Sequence, residues 1–292
     1  VMETAAAARE RTSHEIRTYE ALGNALNPAQ SLAQAWRDLY WSRHILWHLF
    51  RRDFVAGFRQ KLLGYLWIIL VPLLGIASFV FMQWTGILNP GNTPFPYAVY
   101  VYIGTSVWSL FMAALGTVAN GLIANTDLVM RTNIPKIGLA VTGMASLAYS
   151  FCVNTVVLVI LLLIFRMKPS AWIVLYPLAM LPIVLLGVGV GLILSVVGAV
   201  ARDVTGMATT VLGLVMYITP VVYTAQFVNP WLKMLVEFNP LTYLVDTPRS
   251  VLALGTVPHP AAFAAATLLA LVVLWIGVHG FYLIKEKVAE RL

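Results

Sequence analysis

Six apolar stretches constrain this 292-residue chain more than anything else: about residues 62–84, 97–119, 139–165, 171–200, 206–224 and 260–284. Each is close to, or above, the roughly 20 apolar residues a helix needs to cross a ~30 Å hydrocarbon core. All twelve Asp and Glu fall outside the cores of these stretches. Lipid offers no hydrogen bonds to a backbone, so a spanning chain must be helical or a closed barrel. The alternating pattern of barrel strands is absent. Composition agrees: 60 % of residues are hydrophobic and 11 % charged, against about 25 % charged in soluble domains. The fold class is all-α, a polytopic membrane protein with six spans.

An even number of spans puts both termini on one side. With both termini in the cytoplasm, fifteen of the nineteen Lys and Arg lie on the inner side and only Arg166, Lys168, Lys233 and Arg249 on the outer. The positive-inside rule therefore fixes the orientation, and it also explains the net charge of +7 without a nucleic-acid partner.

Before the first span, residues 1–30 are polar, lack the apolar core of a signal peptide, and read as a flexible cytosolic tail. Residues 31–61 differ. Leu32, Trp36, Leu39, Tyr40, Leu46, Trp47 and Phe50 recur at helical spacing, while Gln34, Arg37, Asp38, Ser42 and Arg51 point elsewhere. That is an amphipathic helix lying in the membrane interface, with Ser31 as the expected N-cap. It meets the first span at Leu63-Gly64. On the outer side, residues 225–259 are too apolar for a solvated loop and too interrupted by Pro230, Pro240 and Pro248 to span. They read as two short re-entrant helices, allowed only where protein covers their ends. On the inner side, residues 120–138 predict a short helix ending near Arg131–Asn133, because Pro135 disfavours helix at Ile134. Asp203 stands close to the start of the fifth span, where a carboxylate favours the helix.

Motifs for chemistry are largely missing. There is no Gly-x-x-x-x-Gly-Lys-Ser/Thr, so the chain has no phosphate-cradling loop of its own. Gly187, Gly189 and Gly191 fail the dinucleotide fingerprint and read as close helix packing, with Gly187 and Gly191 in GxxxG register. His44 and His48 are four apart, but Ile45 stands where a zinc protease needs its glutamate. Gly104-Thr-Ser106-Val-Trp108 departs from the nucleophile elbow at its last position. The single Cys152 allows no internal disulfide. His279, near a cytoplasmic span end, is the one ionisable group well inside a span, and it reads as an interface residue rather than a proton relay. Energy for uphill transport would have to come from a partner.

A series of short motifs resembles the membrane subunit of ABC-2 type polysaccharide exporters, the branch that exports O-antigen, teichoic acid, capsule or galactan. It runs Arg52-Asp53-Phe54, Phe58-Arg59-Gln60, Leu63-Gly64-Tyr65-Leu66-Trp67, Asn133-Ile134-Pro135-Lys136, Arg202-Asp203, Thr219-Pro220-Val221-Val222-Tyr223 and Asn239-Pro240-Leu241 with Arg249 and Leu252. The resemblance covers about residues 31–292. Phe58 stands where the family often has Tyr, and Lys136 where it often has Arg.

The resemblance implies a homodimer of this subunit with two copies of a separate P-loop ATPase. That partner would bind the ATP and Mg, and this chain would hold no cofactor. Asp53, Phe54, Arg59, Gln60, Arg131, Pro135, Lys136, Arg202 and Asp203 would couple the membrane part to the ATPase. The first and fifth spans would form a channel for a lipid-linked (polyprenyl diphosphate) glycan across the bacterial inner, or cytoplasmic, membrane. Its mouth and lining would fall to Leu63, Gly64, Tyr65, Trp67, Pro72, Tyr217, Pro220 and Tyr223. Asn239, Pro240 and Arg249 would belong to an outer re-entrant gate.

Sugars present hydroxyls and flat CH faces, so aromatic side chains with few fixed charges suit such a conduit; the competing reading places the same aromatics in an interfacial belt. Pro72 and Pro220 would bend the two lining helices, and Arg249 should pair with a lipid headgroup or with Asp246. Two other functions share part of the pattern. An ABC-2 permease for drugs or small lipids shares the spans, but does not explain the interface helix and its junction. A membrane enzyme acting on polyprenyl lipids would need an interfacial acidic or histidine cluster that the sequence does not present. A membrane scaffold would explain none of the specific motifs.

Overall fold

The computed structural model describes residues 28–59, 64–125, 135–225 and 229–289, and the described residues contain no strand. Within the described residues ten α-helices follow in order. They are α1 (Pro28–Arg59), α2 (Gly64–Trp84), α3 (Tyr97–Ala124), α4 (Lys136–Ala140) and α5 (Met144–Ile164), then α6 (Tyr176–Val200), α7 (Arg202–Leu214), α8 (Pro230–Phe238), α9 (Pro240–Ala253) and α10 (Pro260–Ala289). Short 3₁₀ turns precede α6, at Ala171–Leu175, and follow α7, at Val215–Tyr217. Among the described residues, four segments are long and apolar enough to cross a bilayer: Tyr97–Ala124, Lys136–Ile164, Ala171–Gly198 and Pro260–Leu283. Ile69–Trp84 and Asp203–Tyr217 are shorter apolar helices. The chain is an all-α polytopic membrane protein.

Helices α3 and α6 form the centre. Buried side chains make up 56 % and 67 % of their most apolar windows, against 28 % and 22 % for the α4–α5 and α10 segments, which face outward. Lipid is as apolar as leucine, so the hydrophobic effect does not drive two such helices together; close backbone approach does. Gly187 and Gly191 supply it. A Cβ at Gly187 would stand 2.8 Å from Phe111 O, and one at Gly191 would stand 2.8 Å from Leu115 O, both on α3. On the opposite face of α6, Gly189 and Gly277 let α10 approach in the same way. The GxxxG spacing is thus a packing device between α6 and α3.

Helix α1 lies across one end of this bundle, against α4, α5 and the end of α10. Its buried face is Ser31, Ala35 and Ser42, with Leu46 seated on Gly138. Tyr282 Oη donates to Asp38 Oδ2 at 2.6 Å. Trp36, Tyr40, Trp41 and Trp47 stay exposed. Asp38 and Ser42 therefore face the protein, not away from it, and the aromatic stripe stays uncovered by the chain. Ser31 is not the N-cap: Pro28, with its preset φ, lies in the first turn, and Ser31 is inside the helix.

The expected span boundaries shift as well. The 97–119 helix continues to Ala124. The 139–165 stretch is two helices, because Val141, Thr142 and Gly143 form turns between α4 and α5. The 171–200 stretch opens with a 3₁₀ turn. The fifth begins four residues early at Arg202 and ends early, and the sixth runs on to Ala289. Residues 225–259 do form two short helices, each with proline in its first turn and Asn229 or Asn239 as N-cap. Pro248, expected as a break, sits inside α9. Helix α9 packs between α3, α6 and α10, with Leu244, Val245 and Leu252 buried. The inner helix expected before Asn133 falls outside the described residues.

Candidate functional site

Helix α7 has 13 residues, about 20 Å at 1.5 Å per residue, which is short of a bilayer core. Contrary to the expectation of a bend, Pro220 lies outside α7, in the irregular run that follows the helix. Residues 218–225 carry no helix, yet Val221 and Val222 are buried. Irregular backbone at such a place is tolerated only where its polar groups find partners.

Four successive carbonyls in this run each receive a side-chain donor from another helix. Arg249 on α9 donates through Nη1 to Pro220 O at 3.2 Å and through Nη2 to Val221 O at 2.7 Å. From α3, Tyr97 Oη donates to Val222 O at 2.9 Å and Tyr100 Oη to Tyr223 O at 3.1 Å. The run is held from its own side too. Tyr223 Oη contacts Tyr217 O and Ile218 O at 3.0 Å, and the Thr224 N–H and hydroxyl both donate to Pro90 O at 2.8 Å.

Arg249 is 1 % exposed. A planar guanidinium with five donors suits a cage of separate acceptors, which a lysine would not fill. Nη1 also donates to Tyr100 Oη at 2.6 Å, and the guanidinium carbon lies 3.8 Å from the centre of the Tyr100 ring. Asp246 Oδ1 is 3.7 Å away, one helical turn back. The expected Asp246 partner is thus present, but main-chain carbonyls and Tyr100 carry the closer contacts, and burial excludes a headgroup. Gly104 provides the space: a Cβ there would collide with Arg249 Nη2 and Val221 O. Asn239, between α8 and α9, ties both helices to the same run. Its Oδ1 accepts from Leu241 N at 3.0 Å, and its Nδ2 donates to Thr219 Oγ1 at 2.9 Å.

The end of the bundle opposite α1 therefore gathers Tyr217, Pro220, Tyr223, Asn239, Pro240 and Arg249. Tyr97 and Tyr100 belong with them and carry no motif in the sequence, and Gly104 belongs there too, although the sequence offers it only as the start of a failed nucleophile elbow. The only signal was a run of tyrosines, 97, 100 and 102, at the start of the second span, indistinguishable there from a belt. A cavity of about 580 Å³ opens beside Arg249, and one of about 570 Å³ beside Tyr217 and Tyr223.

The other expected site residues are elsewhere. Pro72 is inside α2, half-buried. Gly64, Tyr65 and Trp67 are in the first turn of α2, but the side chains of Tyr65 and Trp67, like all of Leu63, lie outside the described residues. Helices α2 and α7 do not pack extensively on each other within one chain, and Val71, Leu74, Phe81, Met207, Val211 and Tyr217 leave their surfaces exposed. At the opposite end of the bundle, Asp53 and Phe54 are on the last turns of α1, and Asp53 accepts from Arg52 Nε at 2.8 Å. Pro135 is the N-cap of α4, Lys136 its first residue, and Asp203 is in the first turn of α7. Arg59 and Arg202 are placed as helix termini without their side chains, and Gln60 and Arg131 lie outside the described residues.

Comparison with known proteins adds to this geometry. Residues 44–253 match the family described as ABC-2 type transporter. An O-antigen export system permease protein of Myxococcus xanthus is 22 % identical over 258 residues, covering 88 % of this chain and 98 % of that protein. Two proteins of Klebsiella pneumoniae described in the same words are 24 % and 22 % identical over 211 residues, covering 71 % of this chain and 80 % of each.

Proposed function

The chain belongs to the ABC-2 type transporter family, and from that premise we propose that it is the permease subunit of an ATP-driven exporter of a lipid-linked polysaccharide. The observation that carries the proposal is similarity along nearly the full length of an O-antigen export permease. In this reading the chain does no bond chemistry itself. Two copies form the translocation path in the cytoplasmic membrane, with both termini inside, and two copies of a separate P-loop ATPase drive it.

The exposed faces of α2 and α7, not used for packing within the chain, support a role for both helices toward a second copy and a conduit. The broken end of α7 and its Arg249 cage would hold the outer mouth while the inner ends move. Asp53, Phe54, Pro135, Lys136 and Asp203, with Arg59, Gln60, Arg131 and Arg202, would transmit force from the ATPase. Mass spectrometry of what copurifies with the chain from native membranes in mild detergent tests this. A stoichiometric P-loop ATPase is expected. A clean chain without one, under conditions that keep a known ABC complex intact, would contradict the proposal.

A further inference from the structure

The cavity beside Arg249 has a chemistry of its own. Its wall carries two cations, Lys233 and Arg249, two carboxylates, Glu237 and Asp246, and His259. Each cation is already matched: Lys233 to Glu237 at 3.7 Å and Arg249 to Asp246 at 3.7 Å. No sign of charge dominates, so nothing in the wall selects an ion. Both pairs are long, which leaves Lys233, Glu237 and Asp246 with donors and acceptors for a further partner, whereas Arg249 is buried and spent on its cage.

The rings of Tyr243, Phe95 and Tyr100 complete the wall. Tyr243 is held by its hydroxyl, which donates to Glu237 O at 2.8 Å, and by the edge of His259, 5.8 Å away. Phe95 rests on Tyr100 at 5.6 Å.

An apolar guest would strip water from these charged groups without replacing it, and a phosphate would face two carboxylates. A neutral guest with many hydroxyls and flat CH faces satisfies both kinds of wall. The volume of about 580 Å³ lies within the roughly 300–1,000 Å³ typical of small-ligand sites. We propose that this cavity is a saccharide-binding site on the outer end of the chain, with the Tyr243 ring as platform and Glu237 and Asp246 accepting sugar hydroxyls. This rests on the polysaccharide reading above and assigns to it a contact separate from the faces of α2 and α7.

The test uses the native complex in detergent and short oligosaccharides released by mild acid from the host's own surface polymer. Saturation-transfer NMR should show magnetisation passing to the sugar. Tyr243→Ala should weaken binding about tenfold, the upper end for an aromatic contact, while Tyr243→Phe, which keeps the ring, should change it little. If Tyr243→Ala does not assemble, Glu237→Gln replaces it, with binding weakened severalfold. No transfer to the wild-type complex, or equal binding after loss of the ring or of the substituted carboxylate, overturns the site. A deletion strain separates the two claims. Surface polymer lost on deletion, with no saccharide binding, overturns the cavity alone; surface polymer unchanged removes the export reading and the site with it.

Discussion

Arg249 is a full positive charge withdrawn from water, and it is tolerated because Pro220 O, Val221 O and the Tyr100 hydroxyl surround it. Arg249→Ala would leave Pro220 O and Val221 O without this donor and Tyr100 Oη with its bond to Tyr223 O. Leaving a buried acceptor unsatisfied costs about 1–3 kcal/mol, and two carbonyls lose their donor here, so this variant should show a clear loss of thermal stability in detergent. Arg249→Lys should fall between, since one ammonium cannot serve acceptors spread across a fork. An alanine variant that melts like the wild type would contradict the cage. Tyr97→Phe removes one neutral donor, with an expected loss of about 0.5–1.5 kcal/mol in the same measurement. The importance of Arg249 was legible in the sequence, because an arginine in an apolar segment is expensive wherever it points. Its partners were not. Residues 220–223 fall in a stretch that reads as helix, where carbonyls bond internally, and the donors Tyr97 and Tyr100 lie 125 and 123 residues from their acceptors.

The helices themselves follow from apolar run length and proline position, and those signals place every long helix. They do not fix where a run breaks. Val141-Thr-Gly143 interrupts the third stretch with no proline, and Pro248 fails to interrupt α9. Which face of α1 turns inward was also hidden. Aromatic residues dominate its periodicity, yet small ones, Ser31, Ala35 and Ser42, make the tight contact. Two variants probe these joints. Gly191→Val would press a branched side chain against the α3 backbone, and overpacking of this kind costs typically about 1–3 kcal/mol. A lower melting temperature and weaker resistance to detergent are expected; unchanged stability would show that α3 and α6 can separate freely. Asp38→Ala removes the acceptor for Tyr282 and should speed proteolysis within α1 while leaving the six apolar stretches inserted. Equal cleavage rates would mean that α1 is held by other contacts.

At the scale of the whole molecule, the described helices form a bundle with a fixed centre, α3 and α6, and exposed apolar faces on α2 and α7 that need another surface or lipid. The charged helix ends lie at one end and the Arg249 cage at the other, which is how a subunit driven from one side and opening on the other would be laid out. Asp53→Lys should leave membrane insertion intact and reduce substrate-stimulated ATP hydrolysis by the reconstituted complex to near its unstimulated level; full stimulation would remove Asp53 from coupling. Export itself is the most direct test. Surface polysaccharide would be quantified in the native host with the gene for this chain deleted and then restored. Loss of surface polymer, accumulation of lipid-linked polymer inside the cell and recovery on restoration are expected. Undiminished surface polymer in the deletion strain would contradict the assignment as a polysaccharide export permease.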